Sequence, residues 1–151
     1  MELSIGGFPF TYICDIQPEE ELSGSVKIYL PQSRYKNSEH LALNNYGQGP
    51  FCKFKIPNHH HQCGVYALVS DEDVMYIGET IDLSRRYNLG YGIISPKNCF
   101  VGGQETNCRI NHLILQLIQN GKRLSLWFYP TAKHKEVESK LRASIHTPWN
   151  R

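Results

Sequence analysis

The fold of this chain is decided by one stretch, CGVYALVSDEDVMYIGETIDLSRRY, which occupies residues 63 to 87. Two short runs in it, residues 64–68 and 74–77, are rich in β-forming residues. Between them lies the acidic segment 70–73, which is typical of a turn. The pattern therefore predicts a β-hairpin.

The register of this hairpin decides which side chains meet. With a five-residue loop at 69–73, Tyr66 lies directly across from Tyr76, and the two phenols share one face with Cβ atoms about 5 Å apart. Beyond the second strand the spacing of apolar residues becomes helical, and Thr80 is suited to begin a helix. That helix carries Arg86, so an arginine is expected beside the two tyrosines.

The rest of the chain supplies two more helices and a strand. Thr106 is expected to begin an amphipathic helix that ends at Gly121, and residues 124–129 form an apolar run that predicts a buried strand. A last helix begins near Thr131 and places Glu138 at the margin of its apolar stripe. The predicted fold is α+β, with a small three-stranded, mostly antiparallel sheet flanked by helices.

Length and composition limit the class of protein. The 151 residues, 40% of them hydrophobic, are enough for a domain of about 90 residues at 62–151 and an irregular N-terminal extension with short strands at 1–61. No run of about 18 apolar residues and no signal peptide is present. Five cysteines without a Cys-x-x-Cys pair do not suggest a disulfide framework. We therefore expect a soluble, cytoplasmic protein that does not enter a membrane.

A run of three histidines, residues 59–61, precedes Cys63 and could suggest zinc, because both residue types bind this metal. Three consecutive histidines cannot all point at one ion, and no second ligand pair follows at zinc-finger spacing. A loop is the expected structure of this segment.

Several short motifs in this chain resemble those of the GIY-YIG nuclease superfamily in kind, order and spacing. The resemblance covers about 90 residues, from near Gln62 to the C terminus, and is closest to the small stand-alone GIY-YIG restriction endonucleases. It rests on Gly64-Val65-Tyr66, Tyr76-Ile77-Gly78, Thr80, Arg86, Glu138, Pro148 and Asn150.

This resemblance implies metal-assisted hydrolysis of a phosphodiester bond. It assigns Tyr66 as the general base, Tyr76 as a hydrogen-bonding and orienting group, and Arg86 as the cation that clamps the phosphate. Glu138 is the implied ligand of Mg²⁺, for which Mn²⁺ could substitute, and Asn150 is expected to brace the site. Each residue alone is more often a packing or surface residue, and their joint spacing favours the catalytic interpretation.

Two positions depart from the family pattern. Glu79 follows the second motif where many members have a basic residue, and Gly90 occupies a position where members often have histidine or tyrosine. Tyr87 or Tyr91 could take the place of the histidine or tyrosine that is missing at position 90 and assist the general base. Arg85 directly precedes the implied catalytic arginine, and spacing alone favours the second of the two.

Positive charge collects at the end of the chain, where residues 122–151 hold seven Lys or Arg against two Asp or Glu. An anionic partner requires such a patch, although a solvated helix face has the same composition. The long polar loop after Arg86 and the helix that follows it add side chains that can contact phosphates and base edges. The alternative is that these side chains only stabilise turns. The candidates for DNA contact are Arg85, Lys97, Asn98, Gln104, Asn107 and Arg109.

The sequence thus predicts a metal-dependent endonuclease that cuts double-stranded DNA at a specific sequence, as a type II restriction enzyme does. It is expected to act as a homodimer and to need no organic cofactor. Two alternatives stay open at this point. One is a structure-selective repair or processing nuclease, and the other is a nucleic-acid-binding module without catalysis.

Overall fold

The computed structural model describes all residues from 1 to 151, and the chain divides into two units. The first unit combines residues 1–16, 56–86 and 122–151. The second combines residues 17–55 and 87–121. Each unit is thus assembled from segments that are distant in the sequence. The predicted division of the chain into residues 1–61 and 62–151 stays a prediction.

A five-stranded antiparallel sheet forms the centre of the first unit. Its spatial order is β1-β2-β5-β3-β4, so β1 and β4 are the edge strands. The strands in chain order are β1 (Glu2–Ile5), β2 (Phe8–Asp15), β3 (Gly64–Ser70), β4 (Asp73–Thr80) and β5 (Ser125–Pro130).

The α+β class and the antiparallel pairing are confirmed, whereas the prediction of three strands is wrong. The N-terminal hairpin of β1 and β2 extends the sheet, because β2 pairs with β5 from Thr11–Phe128 to Asp15–Ser125. β5 is buried from Leu126 to Phe128, and a buried strand needs hydrogen-bonding partners on both edges. β2 and β3 supply them, and the GIY-YIG fold itself stays a prediction.

The hairpin of β3 and β4 is tighter than the sequence suggested. Ser70 pairs with Asp73, so the turn has two residues, and Asp71 adopts the left-handed conformation that turns require (φ 54°). Leu68 pairs with Tyr76 while the next residue of β3 pairs with Val74, which leaves Met75 as a bulge. Together these two features shift the register by two residues from the predicted one.

Two helices belong to the first unit, α1 (Leu83–Arg86) and α3 (His134–Ser144). α3 buries Val137 and Leu141 in the main core, which also contains Val65 and Ala67 of β3 and Ile77 of β4. Because side chains alternate along a strand, α3 therefore covers one face of the sheet, and Tyr66 and Leu68 point to the other.

The second unit is built around α2 (Glu105–Gln119), a π-helical turn (Tyr87–Tyr91) and two 3₁₀ turns (Pro31–Arg34 and Pro96–Cys99). The amide of Asn111 on α2 is fully buried and bonds the backbone of Cys52 and of Tyr91. The core of this unit contains Phe51, Ile94, Cys99, Phe100 and Cys108. None of the helices in the chain has both the length and the apolar character needed to cross a membrane.

Candidate active site

The two motif tyrosines lie on one face of the hairpin, as predicted, but they are not opposite each other. Tyr66 pairs with Gly78, and Tyr76 is its diagonal neighbour, with ring centroids 6.2 Å apart and ring planes at 45°. The predicted pairing of Tyr66 with Tyr76 is therefore wrong, because of the short turn and the bulge at Met75. Both rings are buried, Tyr66 with 1% and Tyr76 with 8% of its surface exposed.

The Tyr66 ring lies directly over Gly78. A Cβ atom added to Gly78 would be 2.3 Å from the Tyr66 hydroxyl and 2.4 Å from its Cζ, far inside van der Waals contact. Residue 78 must therefore be glycine for the tyrosine to occupy this position. This explains in packing terms why a tyrosine motif on β3 accompanies a glycine motif on β4.

Asn150 binds the outer edge of β4 at the second motif. Its amide accepts a hydrogen bond from the Ile77 N–H (2.9 Å) and donates one to the Ile77 carbonyl (2.8 Å). The Trp149 N–H donates to the Met75 carbonyl (2.9 Å), and the Thr147 hydroxyl donates to the Asn150 amide oxygen (2.5 Å). The C-terminal segment thus covers backbone groups of an edge strand, and the role of Asn150 in bracing a catalytic site stays a prediction.

Glu138 is located in α3, with 19% of its side chain exposed. Burial and the negative charge of Glu79 raise the pKa of this carboxyl, and the nearby Arg142 guanidinium lowers it. The Arg142 Nη1 atom is 4.0 Å from Glu138 Oε1. Glu138 is therefore a partly desolvated carboxylate with a second carboxylate near it, an environment that favours a bound cation.

A histidine that the sequence analysis did not select lies beside this carboxylate pair. His134 Nδ1 is 2.5 Å from Glu79 Oε2, and the two side chains are 14% and 28% exposed. A carboxylate can only accept, so the histidine donates this hydrogen bond. The signal was present in the sequence, because His134 precedes Glu138 by four residues on a predicted helix and Glu79 departs from the family pattern.

Arg86 ends the short helix α1 and is half-buried, whereas Arg85 is exposed. The helix begins after Asp82, whose carboxylate accepts the Arg85 N–H (3.0 Å), and this contact lowers the pKa of Asp82. Thr80, the predicted N-cap, instead bonds the backbone of Asp82 through its hydroxyl. α1 thus leaves Arg86 less exposed than Arg85, and the role of Arg86 as a phosphate clamp stays a prediction.

The candidate DNA-contact residues of the second unit differ in exposure. Lys97 and Gln104 are exposed and Asn98 is half-buried, whereas Asn107 and Arg109 are buried on α2. The Asn107 amide donates to the Gln104 side chain (2.6 Å), a contact within the first turn of the helix. Exposed side chains can reach a DNA surface directly, so Lys97 and Gln104 are the members of this set best placed for it. The DNA-contact assignment as a whole stays a prediction.

Comparison of the chain with protein-family models, with curated proteins and with solved structures gave no match. The resemblance to the GIY-YIG superfamily therefore rests on the residues themselves and on the contacts that join them.

The carboxylates near α3 suit a hydrated metal ion better than a metal enclosed by protein ligands. No group of three or more His, Cys, Asp or Glu side chains in the chain is arranged to hold a metal, and this includes the histidines at 59–61. Mg²⁺ does not need such a cage, because it keeps several waters and binds through one or two carboxylates. Glu138, with its raised pKa and with Glu79 nearby, fits a hydrated Mg²⁺ of this kind.

Proposed function

We propose that this chain is a metal-dependent DNA endonuclease of the GIY-YIG type. The observation that carries the proposal is the convergence of the motif residues on β4. Tyr66 packs over Gly78, and Asn150 bonds both backbone groups of Ile77, although the hairpin and Asn150 come from two distant parts of the sequence. Asn150 and Ile77 are 73 positions apart, and the hydrogen bond between them supports the interpretation that the motif residues form one site and do not match the family by chance.

The chemistry would be divided among a few side chains. Arg86, which is always cationic, would hold the scissile phosphate while negative charge builds in the transition state. The Tyr66 hydroxyl would take a proton from the attacking water, and Tyr76 would orient that water by a hydrogen bond. Asn150 would keep β4, and with it Tyr76, in place. Glu138 lies on the face of the sheet that α3 covers, whereas Tyr66 lies on the other, so Glu138 would hold Mg²⁺ or Mn²⁺ near Glu79 at the end of β4. When bound there, the ion would supply Lewis-acid stabilisation of the developing charge.

Within this activity we favour a type II restriction-like enzyme that acts on double-stranded DNA. The 151 residues provide one unit with the candidate catalytic groups and a second with exposed polar residues such as Lys97 and Gln104. The compartment we propose is the cytoplasm.

One observation favours a different function, a nucleic-acid-binding module without catalysis. Only 1% of the Tyr66 surface is exposed, and a general base must reach a water molecule. In a binding module the tyrosines and Gly78 would serve packing alone. The two functions differ in whether phosphodiester bonds are cut, so a cleavage assay separates them.

The first experiment is incubation of the purified protein with mixed plasmid and phage DNA, with Mg²⁺, with Mn²⁺ and with EDTA. Discrete fragments that appear only with metal are expected from a restriction-like enzyme. Nicking or a smear would favour a structure-selective nuclease. Binding without cleavage, measured by gel shift under the same conditions, would favour the non-catalytic module and contradict the proposal.

A further inference from the structure

Two potential metal ligands stand one helical turn apart on α3. His134 and Glu138 are related as i and i+4, so their side chains are neighbours on the helix surface, with Cβ atoms about 5–6 Å apart. Val137 and Leu141, which lie on the same stripe, are buried against the sheet. The histidine and the glutamate therefore lie at the edge of the helix–sheet contact, where both are partly exposed.

Both side chains interact with the same residue of β4, one through a hydrogen bond and the other through its charge. Glu79 accepts the hydrogen bond from His134 Nδ1 (2.5 Å), and its charge is close enough to Glu138 to disfavour ionisation of that carboxyl. Glu79 pairs with Val65, a core residue beneath α3, which places it on the face of the sheet that the helix covers. Glu79 on the strand is thus hydrogen-bonded to the histidine and acts electrostatically on the glutamate of the helix.

This bond fixes the state of the histidine ring. With Nδ1 donating to a carboxylate, the neutral imidazole carries its lone pair on Nε2. Histidines that bind metals usually donate their other ring nitrogen to a carboxylate in this way. We propose that His134 is a second protein ligand of the cation held by Glu138, and that Glu79 orients the His134 ring. The inference rests on the proposed metal site at Glu138.

The added ligand changes the expected metal preference. A site of carboxylate and water suits Mg²⁺, Ca²⁺ and Mn²⁺, whereas an imidazole ligand favours Co²⁺, Ni²⁺ and Zn²⁺. Two protein ligands leave the remaining positions for water and a phosphate oxygen. His134 and Glu138 together should therefore show a larger preference for Co²⁺ over Mg²⁺ than a carboxylate alone would.

The competing explanation is that His134 and Glu79 only fasten α3 to β4. A second histidine–carboxylate pair in the same unit serves as the control for such a purely structural role, because His61 Nδ1 forms a similar bond to Asp82 (3.0 Å). His61 has no glutamate one helical turn away, so it should tie its segment to α1 without forming the proposed site. Glutamine at either position retains an amide donor for the carboxylate and removes the imidazole.

The test is calorimetric titration of the metal-free full chain with Co²⁺ and, separately, with Mg²⁺, in the absence of DNA. The binding component that Glu138→Gln removes defines the site. We expect His134→Gln to weaken this component for Co²⁺ by about 10- to 100-fold and to change Mg²⁺ binding little, since ligand and orienting residues have effects of that size. His61→Gln should leave both affinities unchanged, and melting curves should show both variants folded.

Two outcomes would overturn the inference. Co²⁺ affinity at the site defined by Glu138 could be unaffected by His134→Gln, which would make His134 a structural brace while leaving the proposed nuclease function intact. Equal losses for Co²⁺ and Mg²⁺ would show a general disturbance of the site instead of a lost imidazole ligand. Failure of the parent to bind any divalent ion and to cut DNA would instead contradict the proposed function itself.

Discussion

Gly78 is the residue whose identity the structure explains most directly. Because the Tyr66 ring occupies the space where a side chain would begin, Gly78→Ala should force the ring to move. Overpacking of this kind costs about 1–3 kcal/mol of unfolding free energy, measurable by urea denaturation. Gly90→Ala is the control, since its nearest contacts are at 3.8 Å and its backbone is unstrained. Equal stability of the Gly78→Ala variant and the parent would mean that the ring does not lie over residue 78.

Glu138 should destabilise the fold when it is ionised. Burial and Glu79 raise its pKa in the folded chain, so the folded state binds this proton more tightly than the unfolded state does. The stabilising contribution is complete below the ordinary glutamate pKa of about 4.3 and is lost as pH rises through the raised folded pKa. In EDTA, Glu138→Gln should therefore melt at a higher temperature than the parent at pH 7 to 8, and the difference should shrink toward pH 4.

The control for this pH series is Glu136→Gln, an exposed position on the same helix that pairs with Lys140. It should show no comparable dependence on pH. A parent that is more stable than Glu138→Gln at neutral pH would mean that the Arg142 contact outweighs burial, and the carboxylate would then lack the excess negative potential that favours a cation.

The proposed site depends on the contact between the C-terminal segment and β4. Asn150→Ala removes partners from both backbone groups of Ile77, at a cost of about 1–3 kcal/mol if they stay buried. Hydrogen exchange at the Ile77 amide should become faster by a corresponding factor. Ser144→Ala, which removes an exposed hydroxyl nearby, should change neither quantity. Unchanged exchange at Ile77 in Asn150→Ala would contradict the bracing role.

Local patterns predicted the elements well and their partners less well. Both strands of the motif hairpin, the α2 and α3 helices and the strand β5 follow from β-propensity, helical spacing and Gly121 as a stop. The predicted register of the hairpin was wrong because the bulge at Met75 and the left-handed conformation of Asp71 have no clear signature in the sequence. The sequence analysis missed the pairing of β2 with β5 for a similar reason, since residue patterns identify a strand but not the strand next to it.

The candidate site was predictable only as far as the motif spacing extends. The shared face of Tyr66 and Tyr76 follows from strand alternation, and the bond from Asn150 to Ile77 gives a physical basis for the brace. His134 was missed because its importance depends on Glu79, which lies 55 positions away in the sequence. Burial of Arg109 could not be foreseen either, since its type is usually exposed and only the tertiary structure encloses it.

For the whole molecule, the number of candidate catalytic residues in one chain predicts how many chains bind one DNA duplex. Under the proposed function, one chain offers one Glu138 and one Arg86, which would support one phosphodiester cut at a time, whereas a double-strand break needs two. A two-fold dimer on a two-fold DNA site meets this need. Light scattering should therefore show two chains per duplex during concerted double-strand cleavage. A complex with a single chain that makes concerted double-strand cuts would contradict this expectation.

The proposed function requires that Tyr66 and Glu138 perform chemistry and do not only stabilise the fold. Its most direct test is the initial rate of plasmid cleavage at fixed salt with Mg²⁺ titrated, for the parent, Tyr66→Phe and Glu138→Ala, with DNA binding measured in parallel. We predict that Tyr66→Phe lowers the rate by about 10²- to 10⁴-fold, as expected for loss of a general base, and that Glu138→Ala abolishes metal-dependent cleavage. Both variants should bind DNA as the parent does. Parental cleavage rates in either variant would contradict the claim.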